Sequence, residues 1–244
     1  TAMIYIETPS NPLLKVSDIK AIVEIAKQHN IKTVADNTFM TALYQKPLDL
    51  GCDIVIESLT KFVNGHSDVT AGCAVTNNEE IANEICLLQK NFGGILGVED
   101  AWLILRGMKT MGLRMEKSVE NAKILTKFLE SQDKIKKVFY PNLTSCKFYD
   151  IHTEQASSGG AVFSFEFFEQ ADLKTFLKKI KIPIYAISLG GVESIISHPA
   201  TMSHACMSEE ERLAQGVTQT LLRFSCGVED AEDLIEDLTQ ALTD

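Results

Sequence analysis

The sequence lacks the features of several specialised classes of protein. No apolar run approaches the roughly 20 residues of a membrane-spanning helix, and we expect no membrane segment. Basic residues are scarce relative to acidic ones, since 23 lysines and arginines stand against 33 aspartates and glutamates, which gives a net charge of −10. Such a chain has no electrostatic attraction for nucleic acid or for an anionic membrane. Neither is expected as its main partner.

Cysteine and histidine motifs are also missing. The six cysteines include no CxxC pair, and the five histidines include no HExxH motif. His198 and His204 lie on either side of Pro199, which disfavours a shared metal site on one helix face. A disulfide framework is not expected in a chain of this size. We therefore predict reduced thiols, a cytoplasmic location and no bound metal.

Length and composition are those of an ordinary globular protein. The 244 residues suffice for one large domain or two small ones, and 45% hydrophobic and 23% charged residues are usual proportions. The chain begins at Thr1 without the basic region and cleavage site of a signal peptide. Because its first residues have a strand pattern, we expect the chain to be part of something longer.

Strand and helix patterns alternate in the first part of the chain. Strands are predicted at residues 3–7, 31–35, 53–57 and 71–76, with helices after Ser17 and Asn78, which can cap them. Strand–helix–strand order predicts an α/β fold whose sheet is mainly parallel and covered by helices. Ligands of such sheets bind beyond the carboxyl ends of the strands.

The pattern changes in the second part of the chain. Residues 98–129 have helical spacing, which Gly107 and Gly112 interrupt, and a polar loop is predicted at 142–158. Beyond it we predict strands at 160–168, 184–188 and 219–226, helices at 173–180 and 231–242, a loop at 189–202, and a short helix that Ser208 and Glu211 cap. We place a domain boundary near residue 106, which separates 1–106 from a smaller α+β domain at 107–244.

The tetrapeptide Ser58-Leu59-Thr60-Lys61 follows the third predicted strand. A lysine amine that burial has made neutral forms a Schiff base with an aldehyde, and the hydroxyls of Ser58 and Thr60 can bind a phosphate. Pyridoxal phosphate (PLP) carries both groups. A strand end capped by hydroxyls, with a solvated Lys61, explains the same four residues and is the commoner situation.

Asp36 follows four mostly apolar residues at the end of the second predicted strand. A carboxylate buried there needs a partner, and the pyridinium N–H of PLP would provide one. A simple Asp-Asn turn is the alternative, and Asn11, after the first strand, is also explained by a turn. Because the carboxyl ends of parallel strands meet at one edge of a sheet, we expect Asn11, Asp36 and Lys61 to lie together.

Arg223 lies within the apolar strand pattern of residues 221–225. An arginine that faces inward there would bind an anion through two hydrogen bonds, for example the carboxylate of an amino acid. Strand alternation would equally allow it to point outward. The glycine-rich stretches 93–97 and 190–191 do not match the dinucleotide motif G-x-G-x-x-G, and we predict loops there.

With these residues assembled, the chain resembles the Cys/Met-metabolism family of PLP-dependent enzymes, which includes cystathionine β-lyase, cystathionine γ-lyase, cystathionine γ-synthase and methionine γ-lyase. The matching segments follow the family's order and are 7–12, 34–38, 58–68, 188–200 and 223–229. The resemblance implies the aspartate-aminotransferase-like fold of PLP fold type I, with helices on both faces of the sheet. It also implies a homotetramer built from active dimers.

The resemblance implies a role for each of these cofactor-site residues. Lys61 matches the lysine that holds PLP as a Schiff base and moves protons on the substrate. Asp36 matches the acid that pairs with the ring nitrogen of the cofactor. Ser58 and Thr60 match residues that bind its phosphate.

The substrate side of the site is implied in the same way. Arg223 matches the residue that binds the substrate carboxylate, with help from the region of Ser188. Asn11 matches a residue near the phenolic oxygen of the cofactor or the substrate carboxylate. In the family, a phosphate-binding loop, a stacking tyrosine and a Tyr/Arg pair lent to the neighbouring subunit normally precede the first strand. They are not found in this sequence.

Segments 36–41, 93–97 and 105–110 look most like bacterial cystathionine β-lyases, and Ile187 stands where γ-lyases often have glutamate. The resemblance therefore implies a carbon–sulfur lyase that acts on a small amino-acid substrate, by α,β-elimination of cystathionine to homocysteine, pyruvate and ammonia. Within the family, the alternative is γ-chemistry by a γ-lyase, a γ-synthase or a methionine γ-lyase. Outside the enzymes, the alternative is an inactive fragment that acts in assembly.

Overall fold

Three parallel strands bring polar residues to one edge of a sheet. The computed structural model describes residues 1–243, and the strands of its first sheet are β1 (Met3–Glu7), β2 (Lys32–Asp36), β3 (Ile54–Ser58) and β4 (Gly72–Val75). They are ordered β1-β2-β3-β4. The first three are parallel, with Asp36 opposite both Glu7 and Ile56, whereas β4 is antiparallel to β3. The α/β class predicted from the sequence is confirmed.

The helices of this part of the chain begin at polar caps. They are α1 (Ile19–Gln28), α2 (Thr41–Tyr44), α3 (Glu79–Phe92) and α4 (Val98–Met108). Asp18 caps α1 by accepting a hydrogen bond from Ala21 N–H, so the prediction that Ser17 is the cap is wrong by one residue. Asn78 caps α3 as predicted. Both caps satisfy N–H groups that have no partner within the first helical turn.

A second, mostly antiparallel sheet forms the other part of the fold. Its strands are β5 (Ile135–Phe139), β6 (Val162–Phe167), β7 (Ile184–Tyr185), β8 (Ile195–Ser197) and β9 (Leu221–Ser225), in the order β5-β6-β9-β8-β7. The accompanying helices are α5 (Met111–Glu130), α6 (Tyr149–Gln155), α7 (Gln170–Lys179), α8 (Glu209–Gln215) and α9 (Ala231–Leu242). Only β7 and β8 pair in parallel within this sheet, as far as residues 1–243 show.

The sequence pattern misses several short elements of this second part. No strand is predicted between residues 129 and 141, yet β5 forms there because Ile135 and Val138 are buried in the core. Helix α6 lies within the predicted polar loop, where buried His152 bonds to the carbonyl oxygen of Ser158 at 2.6 Å. Strand β8 lies within the predicted loop 189–202, and β7 ends at Tyr185, so the predicted strand 184–188 is too long. The bounds of α9 and the capping box of α8 are confirmed.

The two sheets have separate cores that a smaller cluster joins. The core of the second sheet is built on aromatic side chains in contact with one another, namely Phe163, Phe165, Phe167, Phe176 and Phe224. The joining cluster contains Phe62, which follows Lys61, together with Met115 of α5 and Leu189. It therefore fixes the loop after β3 against the second part of the chain.

The predicted domain boundary near residue 106 lies within α4, and the division into 1–106 and 107–244 stays a prediction. Across residues 1–243, no helix combines the length and the apolar character that crossing a bilayer requires.

Helix α4 approaches the loop after Lys61 at Gly107. A Cβ at this position would lie 2.3 Å from the carbonyl oxygen of Asn64. We expect Gly107→Ala to lower the free energy of unfolding by about 1–3 kcal/mol, because overpacking forces the backbone to move. Urea denaturation followed by circular dichroism measures this change.

Gly112→Ala in α5 is the matched control, since a Cβ there would meet no atom within 4 Å. Alanine in a helix is favoured over glycine by roughly 0.5–1 kcal/mol, so this variant should be as stable as the parent or more stable. Equal destabilisation of the two variants would contradict the close approach at Gly107.

Candidate active site

A cavity of about 470 Å³ lies where the carboxyl ends of β1, β2 and β3 face the second sheet. Glu7, Asp36 and Ser58 at the strand ends line it from one side, and Ser197 and Arg223 of the second sheet also line it. The structure thereby brings together the residues singled out in the sequence, namely Asn11, Asp36, Ser58, Lys61, Ser188 and Arg223. Thr60 is not among the lining residues.

Lys61 lies in a turn, Leu59–Val63, that follows β3 directly and is kinked at Lys61, whose own backbone is not helical. Buried Arg114 of α5 holds this turn by donating to the carbonyl oxygens of Phe62 at 2.8 Å and Val63 at 3.2 Å. Gly190 packs against the same turn, and a Cβ on it would lie 2.7 Å from the backbone nitrogen of Phe62. The backbone that carries Lys61 is therefore fixed by an arginine and by a glycine that leaves no room for a side chain.

The amine of Lys61 donates a hydrogen bond to Ser188 Oγ at 2.7 Å. Burial lowers the pKa of Lys61 below its ordinary value, and the positive charge of Arg223 lowers it further. A lower pKa enlarges the fraction of neutral amine at neutral pH. The neutral amine is the form that attacks a carbonyl and accepts a proton.

Asp36 ends β2, and both of its carboxylate oxygens accept hydrogen bonds. Oδ1 accepts from Thr38 N–H at 3.0 Å, and Oδ2 accepts from the Tyr5 hydroxyl at 3.1 Å. Burial and the neighbouring Asp36 carboxylate raise the pKa of Tyr5 to about 12, so Tyr5 remains a donor at neutral pH. These two bonds orient a charged acceptor at the cavity wall.

Arg223 points inward, with only 5% of its surface exposed. Its Nη1 donates to Asn11 Oδ1 at 3.0 Å, and its Nη2 donates to the carbonyl oxygen of Ser188. Burial lowers the pKa of Arg223 to about 10, which leaves the guanidinium charged at neutral pH. Its Nε is buried and has no hydrogen-bond partner within residues 1–243. Because an unpaired buried donor is costly, this side chain favours an anion beside it.

Ser58 and Thr60 have different surroundings. Ser58 lines the cavity, and its hydroxyl forms no hydrogen bond within the part of the chain that the structure describes. The hydroxyl of Thr60 accepts from Ala71 N–H at 2.9 Å and donates to the Ala71 carbonyl at 3.2 Å. Ser58 is therefore available to a ligand, whereas Thr60 is already paired with the backbone of the next segment.

Several supporting residues were not identified as site residues from the sequence. Glu7 accepts a hydrogen bond from Asn11 N–H at 2.9 Å, and burial raises the pKa of Glu7. Arg114 gave no signal, because a charged residue in a long helix is normally exposed. Gly190 indicated a loop but not its contact with the lysine turn. Across residues 1–243, no group of three or more histidine, cysteine, aspartate or glutamate side chains is arranged to hold a metal ion.

The fold and the cavity define an α/β protein in which a lysine, a carboxylate and a buried arginine surround one ligand-sized space. The family described as Cys/Met metabolism PLP-dependent enzyme matches residues 1–243 of the sequence. The chain belongs to this family, and the resemblance noted in the sequence is confirmed.

The relatives are named for different reactions. The cystathionine beta-lyase of Bacillus subtilis is 49% identical over 242 residues, which are 99% of this chain and 62% of the relative. The cystathionine gamma-synthase of Haemophilus influenzae is 44% identical and is matched over 61% of its length by 99% of this chain. The chain thus spans less than two thirds of the length of these relatives.

A solved structure shows the same backbone fold. The cystathionine gamma synthase of Xanthomonas oryzae pv. oryzae, in complex with aminoacrylate and cysteine, matches with a TM-score of 0.97 at 40% identity. The match covers 99% of this chain and 62% of that chain. The PLP fold type I assignment is therefore confirmed, with the N-terminal part of the family fold absent from these residues.

Replacing Arg223 tests the electrostatic effect on Lys61. Arg223→Gln removes the positive charge that disfavours the protonated amine, so the pKa of Lys61 should rise. Competitive acetylation of Lys61 over a pH series, read by peptide mass spectrometry, measures that pKa. Arg106→Gln is the matched control, because this exposed arginine does not perturb Lys61. An unchanged pKa of Lys61 in Arg223→Gln would contradict the coupling.

Proposed function

We propose that the protein containing this chain is a PLP-dependent carbon–sulfur lyase that converts cystathionine to homocysteine, pyruvate and ammonia by α,β-elimination. The observation that carries the proposal is the meeting of Lys61, Asp36 and Arg223 around one cavity. The 49% identity to the cystathionine beta-lyase of Bacillus subtilis supports this reaction among those of the family.

The residues around the cavity fit PLP. Asp36 presents a carboxylate suited to a protonated ring nitrogen, and the Ser58 hydroxyl is free to bind a phosphate oxygen. When bound, PLP supplies an aldehyde for the lysine and a ring that withdraws electrons from the substrate Cα. Thr60 would join the phosphate ligands only by giving up its bonds to Ala71. We therefore assign the phosphate chiefly to Ser58 and to the backbone around it.

Lys61 is the residue that moves protons in this proposal. Its lowered pKa increases the fraction of neutral amine, and this form takes the proton from the substrate Cα while the bond from Cβ to sulfur breaks and the thiolate leaves. Ser188 accepts a hydrogen bond from this amine and thereby fixes its direction in the resting site. The amine is held on a rigid turn, which keeps the proton acceptor at a constant position.

Arg223 binds the carboxylate of the amino-acid substrate. Its guanidinium is already oriented by Asn11 and Ser188, so little side-chain entropy is lost when an anion binds. The unpaired Nε donor is satisfied by the incoming carboxylate. Asn11 remains near the same anion or near the phenolic oxygen of the cofactor. Binding of the substrate carboxylate by Arg223 determines which substrate bond faces Lys61.

The γ-reactions are the second candidate, because relatives with these activities match nearly as well. The cystathionine gamma-lyase of Bacillus subtilis is 44% identical over 99% of this chain. Ile187 supports the β-reaction, since it lines the cavity with a side chain that can neither accept nor donate a proton. A γ-elimination needs an additional proton transfer at Cβ, and an apolar side chain does not assist it.

The product of cystathionine cleavage separates the two candidates. The full-length protein, supplied with PLP and cystathionine, is expected to release pyruvate and homocysteine, which chromatography of the keto acids and thiols measures. Accumulation of 2-oxobutyrate and cysteine as the main products would overturn the β-lyase proposal and favour γ-elimination. An assay with no cleavage of cystathionine, but with activity on another thioether, would leave the class intact and change the substrate.

An inactive fragment that serves assembly is the non-enzymatic alternative, and colour distinguishes it. The chain mixed with PLP and dialysed should absorb in the violet, and borohydride should abolish that absorption and fix the cofactor to Lys61. Lys61→Ala should remain colourless, whereas Lys46→Ala, at an exposed lysine outside the cavity, should colour like the parent. A colourless parent chain would favour the fragment.

Exposed apolar side chains of α3, of α4 and of the segment between them support assembly into the homotetramer of active dimers. The side chains more than half exposed there are Leu87, Leu88, Phe92, Ile95, Val98, Trp102 and Leu105. A contiguous apolar patch on a soluble protein usually marks an interface.

The cysteines within this chain are free, which supports a reducing, cytoplasmic location.

A further inference from the structure

A second cavity of about 430 Å³ lies outside β5, the edge strand of the second sheet. Its walls are the segment of Leu13, Leu14 and Lys15, the strand β5, and residues 145–148. It shares no lining residue with the cavity around Lys61. It is therefore a separate site, and nothing in the proposed lyase reaction uses it.

The rim of this cavity is basic although the chain as a whole is acidic. Lys15, Lys136, Lys137 and Lys147 line it, and Glu130 is the single acidic residue among the lining side chains. In a chain with a net charge of −10, such a cluster creates a local positive potential.

The charges on this rim are largely unpaired. Lys136 forms an ion pair with Glu166 at 3.3 Å. Lys15, Lys137 and Lys147 have no carboxylate within ion-pair distance in residues 1–243. The ammonium of Lys15 donates to the carbonyl oxygen of Gln215 at 3.0 Å. These cations remain free to attract an anion.

Two of these lysines are positioned by aromatic rings of the cavity. The Lys137 ammonium lies 4.9 Å from the ring centre of Phe139, and the Lys147 ammonium lies 4.7 Å from that of Phe148. Such cation–π contacts restrain the long side chains close to the cavity. Glu130 accepts a hydrogen bond from Ser145 Oγ at 2.6 Å, so one of its carboxylate oxygens already has a partner within the protein.

The floor of the cavity is apolar. The cavity lining includes the buried residues Leu13, Leu14 and Val138 and the aromatic residues Phe139 and Phe148, and these apolar residues are called the floor. An inorganic ion would leave this floor in contact with water, whereas an apolar group would cover it. The volume is that of a small-molecule site.

We propose that this cavity binds a small organic anion whose apolar body lies on the Leu13–Val138 floor and whose charged group lies at Lys137 and Lys147. The juxtaposition of an apolar floor and a basic rim, in an otherwise acidic chain, identifies the chemistry of the ligand. A bare phosphate lacks the apolar body, and an uncharged aromatic compound lacks the anion.

Cys146 provides a local reporter, because it lines this cavity, whereas Cys86 and Cys206 are exposed elsewhere. The chain is treated with iodoacetamide in the presence of anilinonaphthalene sulfonate (ANS), and peptide mass spectrometry gives the alkylation rate of each cysteine. With ANS at about ten times its dissociation constant, the rate at Cys146 should fall about tenfold. The rate at Cys206 should remain unchanged.

Charge variants test the role of the rim. Lys137→Glu/Lys147→Glu should weaken the protection of Cys146 by ANS about tenfold or more, since attraction becomes repulsion. Lys20→Glu/Lys174→Glu is the matched control with the same change in net charge, at exposed lysines outside the cavity. Lys137→Gln/Lys147→Gln removes the charge without reversing it and should give an intermediate loss. Circular dichroism confirms that each variant is folded.

The uncharged analogue N-phenylnaphthylamine should protect Cys146 much less than ANS does, and added sodium chloride should weaken the ANS effect. The proposal is overturned if ANS leaves the Cys146 rate unchanged in the parent chain. It is also overturned if the rim variants are protected as well as the Lys20→Glu/Lys174→Glu control. Protection of Cys86 alone would place ANS on the apolar face of α3 and α4, which likewise refutes the site.

Discussion

The candidate active site depends on Ser188, which links half-buried Lys61, in the turn after β3, to buried Arg223 of the second sheet. Its hydroxyl accepts the hydrogen bond of Lys61, which follows β3, and its carbonyl oxygen accepts that of Arg223, on β9. Through this one residue the two side chains lie close enough for the charge of Arg223 to add to the effect of burial in lowering the pKa of Lys61. The assembly of the fold and the reactivity of the amine are therefore set by the same contacts.

The turn that carries Lys61 is held through its backbone. The Lys61 side chain is not used to hold the turn in place. Arg114 accounts for two carbonyl oxygens of the turn, Phe62 anchors it in the joining cluster, and Gly190 packs against its peptide groups. Such support is what a reactive group on a loop requires, since a small displacement of the acting atom is costly. Arg114 uses its Nη donors on the backbone of the protein, whereas the Nε of Arg223 has no hydrogen-bond partner within residues 1–243.

Much of the site followed from the sequence, because parallel strands place their carboxyl ends together. This rule anticipated that Asn11, Asp36 and Lys61 would meet, although it left the direction of Arg223 open. Thr60 shows where the rule stops. Residues 58 and 60 would share a face in a strand, but the strand ends at Ser58 and the kinked turn that begins at Leu59 directs Thr60 toward Ala71. Strands β5 and β8 depend on distant partners, which no local pattern reveals.

The backbone of Ser188 has a φ of 78°, a conformation that residues with a Cβ seldom adopt and that β-branched side chains avoid. Ser188→Thr would preserve the hydroxyl, but the β-branched threonine is disfavoured at this positive φ. Glycine suits the backbone but lacks the acceptor for Lys61. Few residue types combine this backbone conformation with a side-chain acceptor for Lys61. Substitutions that reshape the cavity are therefore expected at residues such as Ile187 and Met202, which line it without a hydrogen bond to Lys61 or Arg223.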